Sequence, residues 1–274
     1  MKTWAICYYT FRESLARKTF VAFLLISTII LAFFLFALNI EAVDGALASL
    51  SIFGTEEQVL DVEVRDFVRM AETGIAIFLY TVGLFFSVFA TAGLIPATLS
   101  KGNIDWLLAK PISRTQLMIG KFLGAMLIVA FNVFYLILGS WLILSAKTGV
   151  WHFAFVQSGL LILVIFAVLY ALMALLGVVW QNSAICIMGV FLFAILGLEA
   201  FRSDVVYALV SGTIARTILD VVYYITPRVF ETGEIVKNAV LDKPIASWQP
   251  LLHSLMVGTG YFAMSVLVVK NKNF

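Results

Sequence analysis

The feature that most constrains this chain is a series of six long apolar runs separated by polar segments. The runs cover residues 19–40, 73–94, 117–144, 153–179, 184–201 and 251–269. A helix needs about 20 apolar residues to cross the hydrocarbon core of a bilayer. Only 12% of the residues are charged, against about 25% in soluble domains. The pattern therefore predicts an all-α, polytopic membrane protein with six transmembrane helices.

Residues 1–18 are too polar to cross a membrane, but they repeat apolar side chains at helical spacing. The side chains Trp4, Tyr8 and Phe11 recur at intervals of three and four residues, while Arg12 lies outside that stripe. This pattern is typical of an amphipathic helix that lies along a membrane surface. The alternative is the start of a signal peptide, but the next apolar run has 22 residues, against about 7 to 15 in a signal peptide.

The charges predict which segments face the cytoplasm. Segment 41–72 carries eight acids and two bases, whereas segment 96–116 and both chain ends are rich in lysine and arginine. Short basic segments stay on the cytoplasmic side of a membrane. We therefore expect both termini in the cytoplasm and segment 41–72 outside. Segment 199–250 is predicted to form outer amphipathic helices, because its charges disfavour a further span.

Segment 96–116 is the polar connection between the second and third apolar runs. Ile104 and Leu108 fall at helical spacing, which predicts a short amphipathic helix. Pro111 ends that helix, because the residue before a proline disfavours helical geometry. A capping box beginning at Ser113 predicts the start of the next helix. By composition alone the segment is either a lever moved by a soluble partner or a surface loop whose charges only fix topology.

The string from Gly102 to Arg114, followed by Gly120-Lys121, resembles the first cytoplasmic loop of the permeases of second-type ATP-binding-cassette (ABC) exporters. It is most similar to the six-span subgroup that includes the permease for copper-site maturation of nitrous oxide reductase. In that family the loop contains a coupling helix that sits in a groove of the ATPase subunit. The family usually has a glutamate a few residues before the glycine, and residues 98–100 contain none, so no role of that acid is carried over.

The resemblance implies a permease subunit that couples ATP hydrolysis by a separate subunit to export across the plasma or inner membrane of a prokaryote. It assigns contact with the ATPase to seven residues of the loop: Lys101, Gly102, Asp105, Trp106, Lys110, Pro111 and Arg114. It makes the N-terminal helix an elbow helix, carried by Trp4, Tyr8, Phe11 and Arg12. The implied partners are an ABC ATPase that holds ATP and Mg, a second permease copy or paralogue, an extracytoplasmic accessory protein and membrane lipids.

The sequence offers little chemistry of its own. It has no P-loop motif, no H-E-x-x-H and no G-x-S-x-G, so we predict no catalytic residue, no metal site and no directly bound cofactor. The net charge of +2 does not indicate a nucleic-acid partner. His152 and His253 lie at predicted outer ends of spans, where capping or interfacial roles are expected.

Asn132 and Tyr135 are the polar residues that we expect along a translocation path, although an interhelical hydrogen bond is the alternative for Asn132. Two other functions compete with transport. One is a membrane anchor or force-transmitting subunit that moves no substrate. The other is a lipid-modifying enzyme, which needs acids, histidines or a nucleophile clustered at one membrane face.

Overall fold

A computed structural model describes residues 2–15, 18–43, 46–52, 55–57, 63–100, 102–103, 112–197 and 213–272. Its helices are α1 (Lys2–Leu15), α2 (Lys18–Ala32, continued by a π-helical turn over Phe33–Ala37), α3 (Val64–Leu99), α4 (Arg114–Thr148), α5 (Phe153–Trp180), α6 (Ser183–Leu196), α7 (Thr213–Ile225), α8 (Val229–Val240) and α9 (Gln249–Asn271). Strands β1 (Leu38–Val43), β2 (Ala46–Ile52) and β3 (Thr55–Glu57) form an antiparallel sheet in that order.

The prediction of an all-α polytopic membrane protein is confirmed. Within the described residues, α3, α4, α5 and α9 are long and apolar enough to cross a membrane, and residues 20–36 and 183–196 form two shorter apolar helices. These six helices follow the order of the six apolar runs. The small sheet was not predicted: residues 38–40 of the first run lie in β1, because Leu38 pairs with Ile52 in a hairpin.

The core is centred on α5, which packs against α4, α6, α8 and α9. It is apolar on all sides, as expected of a helix surrounded by others. Phe155, Phe166 and Tyr170 are among its fully buried side chains. In α6, by contrast, only Cys186 and Val190 are buried.

Helix α3 is longer than the predicted run 73–94, because it begins at Val64 and includes a π-helical turn over Leu79–Gly83. The end of the acidic segment therefore belongs to this helix. Glu72, expected outside with the other acids of that segment, is fully buried.

Helix α6 is shorter than the predicted run 184–201. It ends at Gly197, where an added Cβ would lie 2.5 Å from the Pro227 carbonyl oxygen. The turn between α7 and α8 is buried there, with Thr226 and Arg228 at 0% and 8% exposure. This turn, predicted to lie along the outer surface, therefore dips into the bundle above α6. Residues 198–212 are outside the described part of the chain.

The bundle has two ends, which we call the loop face and the distal face. The loop face carries α1, the residues that flank the connection between α3 and α4, and the ends of α5 and α9. The distal face carries the starts of α3, α5 and α9.

Candidate functional site

The first root of the loop is a turn that closes the end of α3. Gly102 has a φ of +88°, a left-handed conformation that strains any residue with a Cβ. The Asn103 side chain donates from Nδ2 to the Ala97 carbonyl oxygen at 3.0 Å and to Ser100 Oγ at 3.2 Å. Gly102 therefore has a conformational role in the turn.

The second root is the start of α4. Ser113 Oγ accepts from the Gln116 backbone N–H at 3.1 Å, and the Ser113 N–H donates to Gln116 Oε1 at 3.1 Å. The predicted capping box is confirmed, and it satisfies backbone groups that a helix start leaves unpaired. It fixes Arg114 as the first residue of α4.

Between these roots, Lys101, Asp105, Trp106, Lys110 and Pro111 lie outside the described residues. Their contact with an ATPase stays a prediction. The residues at the two roots are described, and their contacts join α3 and α4 to other helices.

Arg114 binds the end of α9. Its Nη1 donates to the carbonyl oxygens of Val269 at 3.0 Å, Lys270 at 3.3 Å and Lys272 at 2.6 Å. The last carbonyls of a helix lack partners within the helix, and a cation is favourable at that negative end of the helix dipole. The first residue of α4 is thereby tied to the last turn of α9.

Lys272 extends this connection to α5. Its Nζ donates to the carbonyl oxygen of Val178 at 2.8 Å and lies 3.4 Å from that of Val179. These carbonyls belong to the last turn of α5. Two cations therefore link the loop-face ends of α4, α9 and α5 in sequence.

The end of α3 reaches α5 directly. A Cβ on Gly177 would lie 3.2 Å from Pro96 Cδ and 3.4 Å from Ile95 Cγ2, so the two helices touch closely at this glycine. The first root therefore meets the end of α5 directly, and the second root reaches it through Lys272. We call Pro96, Arg114, Gly177 and Lys272 the root cluster.

Helix α1 lies on α4 just beyond the root cluster. A Cβ on Gly120 would lie 2.7 Å from Ile6 Cβ, and one on Gly124 would lie 2.6 Å from Thr10 Cβ. A G-x-x-x-G pair lets two helix backbones approach closely. The helix that approaches α4 at this pair is the N-terminal helix α1.

An ion pair fixes α1 in place. Lys121 Nζ lies 3.0 Å from Glu13 Oε2, and the Lys121 side chain is only 5% exposed. The same ammonium group lies 5.7 Å from the centre of the Tyr9 ring. Lys121 is therefore buried under α1.

The face of α1 that packs on α4 is not the apolar stripe read from the sequence. Trp4 and Tyr8 are 68% and 61% exposed, whereas Ile6 and Thr10 are buried. The glycine pair selects this face because it receives small and branched side chains. The stripe instead lines a surface groove together with α4, formed by Trp4, Cys7, Tyr8, Phe11, Leu127, Ala130, Phe131 and Phe134. Arg12 is exposed.

The two candidate path residues do not form a shared polar site. Asn132 is 2% exposed and donates from Nδ2 to the Ile128 carbonyl oxygen of its own helix at 3.3 Å. Its Oδ1 has no hydrogen-bond partner among the described residues. The hydroxyl of Tyr135 lies 3.1 Å from Thr28 Oγ1 on α2. Of these two residues, Tyr135 makes a hydrogen bond to another described helix, and Asn132 bonds within α4.

A second charged group, missed from the sequence, lies at the distal face. Glu72 Oε2 lies 2.6 Å from His152 Nδ1, and His152 Nε2 lies 3.3 Å from Asp242 Oδ2. Arg69 Nη2 lies 2.6 Å from the same Asp242 oxygen. We call these four residues the distal cluster. It joins α3, the start of α5 and the end of α8, and it pairs the buried Glu72 carboxylate as burial of a charge requires.

Comparison with known families agrees with this architecture. The family described as ABC-2 family transporter protein matches residues 4–273, from α1 through the loop to the end of α9. Among curated proteins, none matches the sequence. The resemblance to this family is confirmed, whereas the likeness to the nitrous oxide reductase subgroup stays a prediction. The chain therefore belongs to the ABC-2 family of transporter proteins, as a multi-pass membrane protein.

Proposed function

We propose that this protein is the permease subunit of an ABC exporter, and that it receives force on its loop face from a separate ATPase subunit. Membership of the family supports the permease role and an ABC ATPase as partner. The export direction, the coupling residues and the cytoplasmic location of the loop face are the further content of the proposal.

The observation that carries the coupling proposal is the convergence of both loop roots on the end of α5. A push on the loop reaches α3 and α4 through the chain itself. Through Arg114 it reaches α9, and through Lys272 it reaches α5. Pro96 brings α3 against the same end of α5 at Gly177.

Helix α1 follows the movement of α4, because the glycine pair and the Glu13–Lys121 ion pair hold it there. We propose that the first three spans move when the loop is displaced. The root cluster adds the fourth and sixth spans, α5 and α9, to the group that moves when the loop is displaced.

The coupling residues of the loop other than Arg114 keep their proposed contact with the ATPase. Asp105, Trp106 and Lys110 contact the ATPase, which binds ATP and Mg. Arg114 acts behind this contact as a positioning residue that passes the displacement to α9. Two permeases pair in the membrane, as two copies or with a related chain, because nucleotide is enclosed between two ATPases.

The docking part is tested by Trp106→Ala. Tryptophan is enriched among the residues that carry most of the binding energy of an interface, so we expect the ATPase subunit to co-purify at least about tenfold less. Trp151→Ala is the matched control, because Trp151 is 54% exposed at the distal face. Wild-type association of the Trp106 variant would remove the docking assignment.

The transmission part is tested by Arg114→Glu as a single variant. In the single variant we expect the ATPase to stay bound and to hydrolyse ATP, because the loop is intact. Maleimide labelling of Phe230→Cys on α8, which is 50% exposed in its native form, should then lose its dependence on ATP. An unchanged ATP-dependence would contradict transmission through Arg114.

A further inference from the structure

A cavity of about 430 Å³ lies between α3, α5, α6 and α8, apart from the loop face. Its size falls within the range of about 300–1,000 Å³ typical of ligand pockets. Its deep end is formed by side chains that are 5% exposed or less: Leu84, Val88, Leu169, Val190 and Val236. The cavity therefore reaches from the surface into the core of the bundle.

The mouth of the cavity combines apolar walls with a charged rim. Ile77, Phe85 and Phe230 line it and are 39%, 45% and 50% exposed. Glu234 and Lys237 also line it, with their charged groups 3.5 Å apart and their side chains 66% and 41% exposed. One opening thus offers both hydrocarbon and a pair of opposite charges.

Helix α8 roofs this cavity and is held at both ends. At its start, the Tyr80 hydroxyl donates to the Val229 carbonyl oxygen. A Cβ on Gly233 would lie 2.9 Å from the Tyr80 ring, so α8 cannot approach α3 more closely. Beyond its end, Asp242 is bound to Arg69. The cavity is therefore a fixed feature of the packing.

The chemistry of the lining decides what it accepts. An apolar cavity excludes water and binds apolar molecules, because water finds no polar partners there. Loss of dispersion contacts makes an unfilled apolar space unfavourable for the walls. A hydrocarbon chain supplies those contacts, and a polar headgroup attached to it meets Glu234 and Lys237 at the rim.

We propose that this cavity binds the hydrocarbon chain of an amphiphile drawn from the distal leaflet of the membrane, with the headgroup beside Glu234 and Lys237. The depth of the site and its charged rim fit a molecule that has both a chain and a headgroup. This goes beyond the transport role, because the site uses neither the loop nor the ATPase.

The experiment uses the full chain in lipid vesicles with a lysophospholipid that carries a diazirine at the end of its chain. We expect cross-links concentrated in residues 77–88 and 229–237. Ala194→Phe fills the cavity and should lower this labelling at least about fivefold, and Ala194→Leu should lower it less. The matched control is Ala263→Phe on the exposed side of α9, which should leave labelling unchanged.

Two results would overturn the site. Labelling spread evenly over the lipid-facing helices, and unchanged by Ala194→Phe, would show that the cavity holds no chain. Dissociation of a dimer by Ala194→Phe with undiminished labelling would make the cavity a contact between copies. Where the site labels as expected, ATP with the ATPase subunit separates two sources: the label is released if the amphiphile is carried and retained if it is a resident lipid.

Discussion

The two faces of the bundle are joined by charges in different ways. At the loop face, Arg114 and Lys272 donate to backbone carbonyls at the ends of other helices. At the distal face, the side chains of Glu72, His152 and Asp242 bind one another, and Glu72 is fully buried. One face uses a cation on a helix end, and the other uses a buried group of side chains.

The difference bears on which face transmits movement. Arg114 already divides its hydrogen bonds among three carbonyls at the end of α9, those of Val269, Lys270 and Lys272, so the end of α9 can shift while a bond is kept. The Glu72 carboxylate is removed from water and has a specific partner, so its arrangement is hard to change without large cost. We infer that the distal cluster holds the bundle together while the root cluster passes displacement on.

The largest expected effect is that of His152→Ala at the distal face. It leaves the Glu72 carboxylate buried without its 2.6 Å partner, and removing one partner of a buried pair costs about 3–5 kcal/mol. The free energy of unfolding in detergent measures the loss. His253→Ala is the control, since His253 Nε2 lies 3.0 Å from the Tyr224 carbonyl oxygen without a buried acid, and should cost about 1 kcal/mol. Equal losses in the two variants would contradict a special role for the distal cluster.

A smaller loss is expected for Arg114→Gln at the loop face. Hydrogen bonds to charged groups contribute about 1.5–3 kcal/mol, so we expect about 2 kcal/mol from loss of the bonds to the end of α9. Arg114→Lys keeps the charge without the planar fork and should lose less. The comparison with His152→Ala is made in one detergent, and a larger loss for Arg114→Gln would reverse the proposed division between the faces.

The packing of α1 on α4 is tested by Gly124→Val, which places a side chain where Thr10 packs. Overpacking costs about 1–3 kcal/mol, and here it should lift α1 from α4. Cys7 reports this movement, because it is 1% exposed and burial raises the pKa of its thiol. In a Cys186→Ala background, maleimide labelling of Cys7 should become at least about tenfold faster. Both the fraction of Cys7 present as thiolate and its exposure to the reagent increase when α1 leaves α4.

Gly260→Val is the matched control, because an added Cβ there has no neighbour within 4 Å. Its labelling rate at Cys7 should equal that of the native chain. Slow labelling in both variants would mean that α1 does not depend on the glycine pair.

The smallest effect is expected for Asn132→Leu. The Asn132 amide nitrogen donates within its own helix, and its amide oxygen has no partner among the described residues. A swap of similar volume should therefore change the free energy of unfolding by less than about 1.5 kcal/mol. Tyr135→Phe is the comparison, since it breaks the contact with Thr28 on α2. A larger loss for Asn132→Leu than for Tyr135→Phe would contradict this account, because it would show that the Asn132 amide stabilises the bundle.

Local patterns predicted much of the fold. The six apolar runs and the capping box at Ser113 depend on residues close in sequence, and both appear in the structure. The close approach of Gly197, at the end of α6, to the Pro227 carbonyl was not predictable, because it joins positions thirty residues apart. The sheet of β1, β2 and β3 was also missed, since β1 begins inside the first apolar run and β2 and β3 lie in the segment read only for its acidic charge.

The site was predictable only in outline. Arg114 and Lys272 appeared as basic residues that orient the loop and the chain end, and nothing in the sequence says that each caps another helix. Glu72 and His152 were visible as polar residues beside apolar runs, but their pairing joins positions 80 residues apart. Such pairings arise from tertiary packing, which periodicity does not report.

The most direct test of the central claim is the sidedness and protection of position 106. Trp106→Cys is made in a background without Cys7 and Cys186 and treated with a membrane-impermeant maleimide, with Trp151→Cys as the distal reference. We predict that position 106 labels only in inverted vesicles, where added ATPase subunit slows the reaction, and that position 151 labels only in intact cells. Labelling of position 106 from outside intact cells, or a rate in inverted vesicles that the ATPase subunit leaves unchanged, would contradict a loop that receives force from a cytoplasmic ATPase.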